Sequence, residues 1–366
     1  MKTDLRLPGC QRAGRPRSQV FLVAAGSLFL GLIAGNGWSQ IRGPQLGYVF
    51  DKGSGILKPI LGVPGASRLG DPLDLAVNLT LAEVSPKQDY ALAVTQGEGG
   101  KLVLIRFGEA DQPSSVLTIE SAGPGASHIT LSSEGKSAAV LFPESQSLKI
   151  LSGLPEAPLL AGEVDLRLAG LPEALALDDE GKLVILAVSE NQGSRISVYS
   201  RETGLQSLGI LGKVSALKFS ADRNVLVADR ESHEVSLIHD VLGGAQRIRL
   251  AAREDGIHDP VAVAFSKDQR RVFVANAGSG SVASLSLEGE PVALTFCDCT
   301  PTALGKLDGD GVFRLTELSE KPLLMFEAGA IENRVLFVPL DNGRRERALR
   351  ERRANLPVTV RRSRLP

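Results

Sequence analysis

Aromatic side chains are scarce and poorly placed for recognition. The one tryptophan, Trp38, lies near the N-terminus, and the tyrosines are Tyr48, Tyr90 and Tyr199. Sugar recognition and the hot spots of protein interfaces lean on exposed Trp and Tyr. A carbohydrate-binding role is therefore disfavoured, and any protein interface is polar or aliphatic. Histidine is rare too: His128, His233, His239 and His258 are the full set, and they do not cluster along the chain. No Ser, His and Asp set can be assembled from the spacing, and no Gly-x-Ser-x-Gly sits between a strand and a helix. The cysteines are Cys10, Cys297 and Cys299. Two neighbouring thiolates with no nearby His are too few for a zinc site. Helical periodicity is missing from the body of the chain, which leaves strands and turns.

Residues 1–39 begin with Lys2, Arg6, Arg12, Arg15 and Arg17, run through VFLVAAGSLFLGLIAG, and end in NGWS. That is the order of a secretory signal peptide. Its apolar run is about 16 residues, shorter than the ~20 that a spanning helix needs. The expectation is cleavage near Ser39, a secreted or periplasmic protein, and no stable membrane span afterwards; an uncleaved anchor is the alternative. Cys10 precedes the apolar run, so it cannot serve as a lipid-modified cysteine at the cleavage point.

Net charge separates the ends from the body. The leader carries +4 and residues 344–366, with nine Arg against two Glu, carry +7, so within a chain of overall −1 the body 40–343 carries −12. An acidic body argues against a nucleic-acid partner. The basic tail reads as a solvated, mobile segment, with contact to an anionic surface as the alternative.

What the body does contain is repetition. PVAVAFSKDQRRVFVANAGSGSVASLSL (260–287) reads as three short strands joined by two turns, and VSALKFSADRNVLVADRESHEVSLIHD (214–240) matches it closely. Copies beginning at residues 81, 128 and 173 keep the same order, and one at 300 is more worn. The turn-opening residues Ser85, Ser132, Asp178, Ser220, Ser266 and Lys306 fall 47, 46, 42, 46 and 40 apart. A period near 44 built of strands and turns is a propeller signature. Innermost strands such as VAVAF read as continuous apolar runs because stacked blades bury both of their faces. Division of 40–343 by that period gives seven blades, with six as the alternative if the N-terminal stretch only caps the ring. LGYVFDKGSGILKPILGV (46–63) supplies the second and third strands of an incomplete first blade. RVLFVPL (334–340) is the candidate for closing the ring, as the outer strand of the last blade or as a strand lent to the first.

Residues 260–287, with FSKDQRRVFVANAGSGSV, resemble the YVTN beta-propeller repeat family, and RNVLVADRESHEVSLI is similar also to NHL repeats. The likeness covers roughly residues 80–330 and implies an all-β, seven-bladed propeller, secreted or at the surface. No copy ends in Trp-Asp, so the intracellular WD40 type is disfavoured.

In propellers the loops leading into the innermost strands surround the mouth of the central channel. Aligned by spacing, the positions there are Thr80, Ser127, Glu173, Ser215, Val261 and Thr302, the last with one residue of slip. His258 and Asp259, in the polar loop REDGIHDP, join Thr80, Ser127, Glu173, Ser215 and Thr302 as candidate ligand contacts, against the plainer reading of an ordinary solvated loop. The ring has one carboxylate, whereas a calcium or catalytic-metal mouth wants several converging oxygens. No metal ligands and no cofactor are assigned. Cys297 and Cys299, in FCDCTPTAL, are a disulfide candidate in an exported chain; a structural clasp, a reducible pair, and soft-metal binding or free thiols remain open.

These readings favour a non-catalytic binding or assembly scaffold of the cell envelope, a monomer whose partner is an unidentified protein or small ligand. The alternative is a propeller enzyme, a lactonase-like hydrolase or a redox enzyme, using the channel mouth.

Overall fold

The computed structural model describes residues 43–97, 99–108, 114–319, 321–329 and 331–340. The leader 1–39 and the basic tail 344–366 lie outside the described residues.

Seven antiparallel sheets follow one another along the chain, the first of three strands and the other six of four. The fold is an all-β, seven-bladed propeller. Two short 3-10 turns, Glu120–Ala122 and Arg253–Asp255, are the only helical elements among the described residues. Blade 1 spans 45–69, blade 2 79–118, blade 3 128–165, blade 4 174–211, blade 5 214–251, blade 6 260–296 and blade 7 305–338. Strand Arg334–Val338 pairs with Leu323–Glu327 as the outer strand of blade 7. Blade 1 contains a third strand, Ala66–Leu69, beyond the segment expected from its sequence.

Second strands show why the sheets stack. YALAVT, SAAVLF, VLVAD and RVFVAN are buried almost throughout, and successive side chains point to opposite faces. In blade 2, Leu92 and Val94 pack toward blade 3, while Ala91 and Ala93 pack toward blade 1. In blade 4, Val184 and Leu186 pack toward blade 3, and Ile185 and Ala187 toward blade 5. Seven apolar clusters result, one at each blade interface, with Ala on one face making room for Leu, Ile and Phe opposite. Outer strands such as Ser115–Thr118 and Gln246–Ala251 have only one neighbour to pack on and are largely exposed.

The turn-opening residues earn their spacing by a shared hydrogen-bond role. Ser132 Oγ accepts the N–H groups of Lys136 and Ser137, both at 3.1 Å, and Asp178 Oδ1 accepts those of Lys182 and Leu183 at 2.8 and 3.0 Å. Ser220 and Ser266 do the same for Asn224 and Arg271, and Ser85 for Asp89. Each buried hook holds a tight turn whose fourth residue (Gln88, Gly135, Gly181, Arg223 or Gln269) is left-handed. In blade 7 the hook position falls on Leu307, whose N–H donates to the Val312 carbonyl, one residue after the expected Lys306; the Leu307 side chain cannot accept such bonds, and the innermost strand shrinks to Gly305–Lys306.

Ring closure uses face packing and one side chain. Blade 1 lies between blades 7 and 2, burying Leu46, Val49, Ile60 and Leu69 on one face and Phe50 and Leu57 on the other. The free edge of strand Gln45–Asp51 needs partners for its backbone groups. Gln88, from the first turn of blade 2, supplies them: its Oε1 accepts the Tyr48 N–H and its Nε2 donates to the Lys306 carbonyl, each at 2.7 Å. The Asp308 N–H donates to the Leu46 carbonyl at 2.7 Å. Gly47, at φ +140°, leaves room for this amide, because a Cβ there would lie 2.3 Å from Gln88 Oε1.

Candidate functional site

The channel has two ends. Loops arriving from the preceding blade surround the mouth end, and the hooked turns surround the other, here the turn end. At the mouth, hydroxyls are consumed locally. Thr80, Ser127 and Thr302 donate to the carbonyls of Val94, Leu141 and Leu315 at 3.3, 3.5 and 3.4 Å, each within its own blade. Ser215 donates to Pro260 of the next blade at 2.6 Å and to Ala228 at 3.3 Å. Glu173 is exposed, and its N–H pairs with the Ala187 carbonyl.

His258 and Asp259 belong to a cluster between blades 5 and 6. Arg230 donates to both carboxylate oxygens of Asp259, at 2.6 and 2.9 Å, which holds that carboxyl below the usual range. The Asp259 N–H donates to His233 Nδ1 at 2.8 Å, and the His233 ring meets the His258 ring edge-on with centroids 6.0 Å apart. Partial burial and the charges of Arg253 and His258 push the His233 pKa down. The His258 N–H donates to Asn276 Oδ1 at 3.2 Å. These side chains anchor one another.

Cys297 and Cys299 are joined by a disulfide with Cα atoms 5.1 Å apart. The two residues follow strand Ala293–Phe296 and lie at a bend, which brings the Cα atoms closer than alternate positions of an extended strand allow. Among the described residues no group of three or more His, Cys, Asp or Glu side chains is placed to hold a metal ion. No helix among them is long and apolar enough to cross a membrane.

The turn end is different. A cavity of about 300 Å³ opens there, lined mainly by residues of the innermost strands and of the hooked turns. Blade 4 contributes nothing to it: its innermost strand, Ala174–Leu177, is buried throughout. Ser133 of blade 3 donates to the Phe219 carbonyl of blade 5 at 2.7 Å, bridging past blade 4. Into this cavity project Glu83 from strand Leu79–Val84 and Lys218 from strand Val214–Phe219. Neither side chain has a hydrogen bond or ion pair among the described residues. Both reach channel water yet are surrounded by protein. Burial pushes the Glu83 carboxyl up against the counter-pull of Arg314, and burial pushes the Lys218 ammonium down against that of Glu83.

Other charges at this end are largely paired. Glu317 bonds Arg314 at 2.9 Å and approaches Lys52 at 3.6 Å; although burial works to raise its pKa, the two cations outweigh it. Lys267 pairs with Asp310 at 2.8 Å and Lys87 with Glu134 at 3.7 Å. His128, also in the lining, is exposed to solvent, yet the protein packed around it and the Lys52 charge favour its neutral form. The signal that marks this site in the sequence is a single charge inside an otherwise uncharged innermost strand, the Glu of LTLAEV and the Lys of VSALKF. A charge there has only the channel to face.

No family model and no curated protein matches the chain. Among solved structures, it is similar to a functionally unknown protein from Desulfotomaculum acetoxidans DSM 771, at 12% identity over 81% of this chain and 79% of that one, with a TM-score of 0.44. A chain of a nidogen/laminin complex aligns at 12% identity over 69% and 93%, TM-score 0.44. Hydrazine synthase of Kuenenia stuttgartiensis aligns at 11% identity over 85% and 100%, TM-score 0.49. Likenesses this distant add nothing to the ring already described.

Proposed function

We propose that this chain is a secreted β-propeller of the YVTN/NHL repeat kind that acts as a non-catalytic binding scaffold of the cell envelope, with the turn end of its channel as the ligand site. The observation that carries the reading is the unpartnered pair Glu83 and Lys218 inside a cavity of about 300 Å³. Charges surrounded by protein are kept at a cost unless something pairs with them. That volume is at the lower end for small-molecule sites. Export is supported by the charge and hydropathy order of residues 1–39 and by the Cys297–Cys299 bond, since disulfides persist in oxidising compartments.

Two measurements test this. Purified protein is mixed with a low-molecular-weight cell extract, desalted and examined by mass spectrometry beside the double variant Glu83→Gln, Lys218→Met. The parent is expected to retain a small molecule that the variant does not; equal retention overturns the channel as ligand site. Fractionation of expressing cells, with the N-terminal mass determined, is expected to find a chain lacking its leader outside the cytoplasm. A full-length chain in the cytoplasmic fraction overturns the secreted assignment.

A further inference from the structure

The cavity at the turn end holds a third charge without a partner. Lys306, on the innermost strand of blade 7, lines it, and its ammonium makes no hydrogen bond or ion pair among the described residues. Lys218 stands on blade 5. Between them, blade 6 offers Ala264 at the position equivalent to Lys218, and Lys267, whose ammonium is already paired with Asp310. The charges of Lys218 and Lys306 act on each other, and the Lys306 charge is among the influences that lower the Lys218 pKa. Glu83 comes from blade 2, across the ring from blade 5, and forms no ion pair with either lysine.

A ligand must answer both features at once. A simple anion between Lys218 and Lys306 would leave the Glu83 carboxylate unpaired and repelling it. A simple amine at Glu83 would leave two ammonium groups unmatched. Arg314 and Lys52 cannot relieve Glu83 fully, because both are engaged by Glu317. We infer that the channel binds a small zwitterion of amino-acid type, its carboxylate between Lys218 and Lys306 and its ammonium on Glu83. The inference rests on the channel being the ligand site and names the class of molecule that fits it. Charge-assisted hydrogen bonds of this kind are roughly twice as strong as neutral ones, and in a narrow channel they are screened less than at the surface.

A ladder of ω-amino acids measures the spacing. Glycine, 4-aminobutyrate and 6-aminohexanoate are titrated into the full chain by calorimetry, beside butyrate and butylamine, which carry one charge each. One member of the ladder is expected to bind at least about tenfold more tightly than either control. Glu83→Gln is expected to remove that advantage while leaving butyrate unchanged, and Lys218→Met to weaken both. Melting curves keep the variants interpretable, since each removes a charge surrounded by protein and should leave the fold at least as stable. Equal binding of 4-aminobutyrate and butyrate, or indifference to Glu83→Gln, overturns the zwitterion and makes the cavity an anion site, with the channel reading intact. No binding by any of the five probes also overturns it, and the extract experiment then judges the channel reading separately.

Discussion

Ser215 and Lys218 lie on the same innermost strand, yet the ring uses them in opposite ways. At the mouth end the Ser215 hydroxyl is spent on the carbonyls of Pro260 and Ala228, as those of Thr80, Ser127 and Thr302 are spent on their own blades. At the turn end Lys218, Glu83 and Lys306 make no side-chain hydrogen bond or ion pair among the described residues. The difference teaches that a polar residue type at a repeat position says little about ligands. Small hydroxyls at strand starts satisfy backbone acceptors left over by the loop. A charge with no internal partner, set where only the channel can be faced, is the stronger sign of something to be bound.

The largest effect expected at the turn end is structural, and it checks that the end is held open by more than its charges. Gln88→Asn keeps the preference for left-handed backbone but shortens the side chain by one methylene. The Tyr48 N–H and the Lys306 carbonyl then both lose their partner at the seam between blades 1, 2 and 7. Two orphaned, partly buried groups at roughly 1 kcal/mol or more each should lower the melting temperature by about 4 °C or more. Gln269→Asn, at the equivalent turn of blade 6, loses only the acceptor for the exposed Ala221 N–H and should change it by about 2 °C at most. Equal melting points for the two variants would show that the Gln88 bridge does not hold the seam.

Blade number, turn positions and the outer placement considered for 334–340 were legible because repeats of one supersecondary unit impose their period on the sequence. The hooks Ser85, Ser132, Asp178, Ser220 and Ser266 recur because the turn requires an acceptor there. Gln88 was not legible as a latch: its partner Lys306 is 218 residues away, and nothing local distinguishes it from Gln269. The Ser133 bridge to Phe219, which passes blade 4 at the cavity, is also non-local. Attention at the sequence level went to loop residues at the mouth, whereas the cavity is lined further along the same strands. Glu83 and Lys218 stood in the sequence as charges in otherwise uncharged strands, a pattern hidden by reading those strands as uniformly buried.

A smaller effect separates the two ends on one strand. Ser215→Ala removes a hydroxyl that donates to two carbonyls and should cost about 1 kcal/mol, near 2 °C in melting temperature, with no change in what the channel retains. Lys218→Met, a few residues on, should do the reverse: retention is lost and the melting temperature holds or rises, because a desolvated ammonium is replaced by an apolar side chain. Retention lost in Ser215→Ala would break the distinction between the ends.

The smallest effect is one of sign, and it comes from pH. At the mouth, His233 accepts the Asp259 N–H on Nδ1 and has a lowered pKa. A group whose folded pKa is depressed contributes stability above its unfolded value, near 6.5, and loses it as pH falls through the lower folded value. At the turn end, burial has raised the Glu83 pKa. Its charged form therefore weighs against the fold above the raised value, and the penalty disappears once pH falls below the unfolded value, near 4.3. Acidification thus works against the mouth through His233 and in favour of the turn end through Glu83. Each contribution is isolated by subtracting a variant from the parent. His233→Gln, which cannot protonate, should gain on the parent by on the order of 1–2 °C between pH 7.5 and 5. Glu83→Gln should start above the parent at pH 7.5 and lose that lead toward pH 4. Parallel melting curves for parent and Glu83→Gln across this range would mean that the carboxylate is solvated like a surface group, and the contrast between the two ends would lose its electrostatic half.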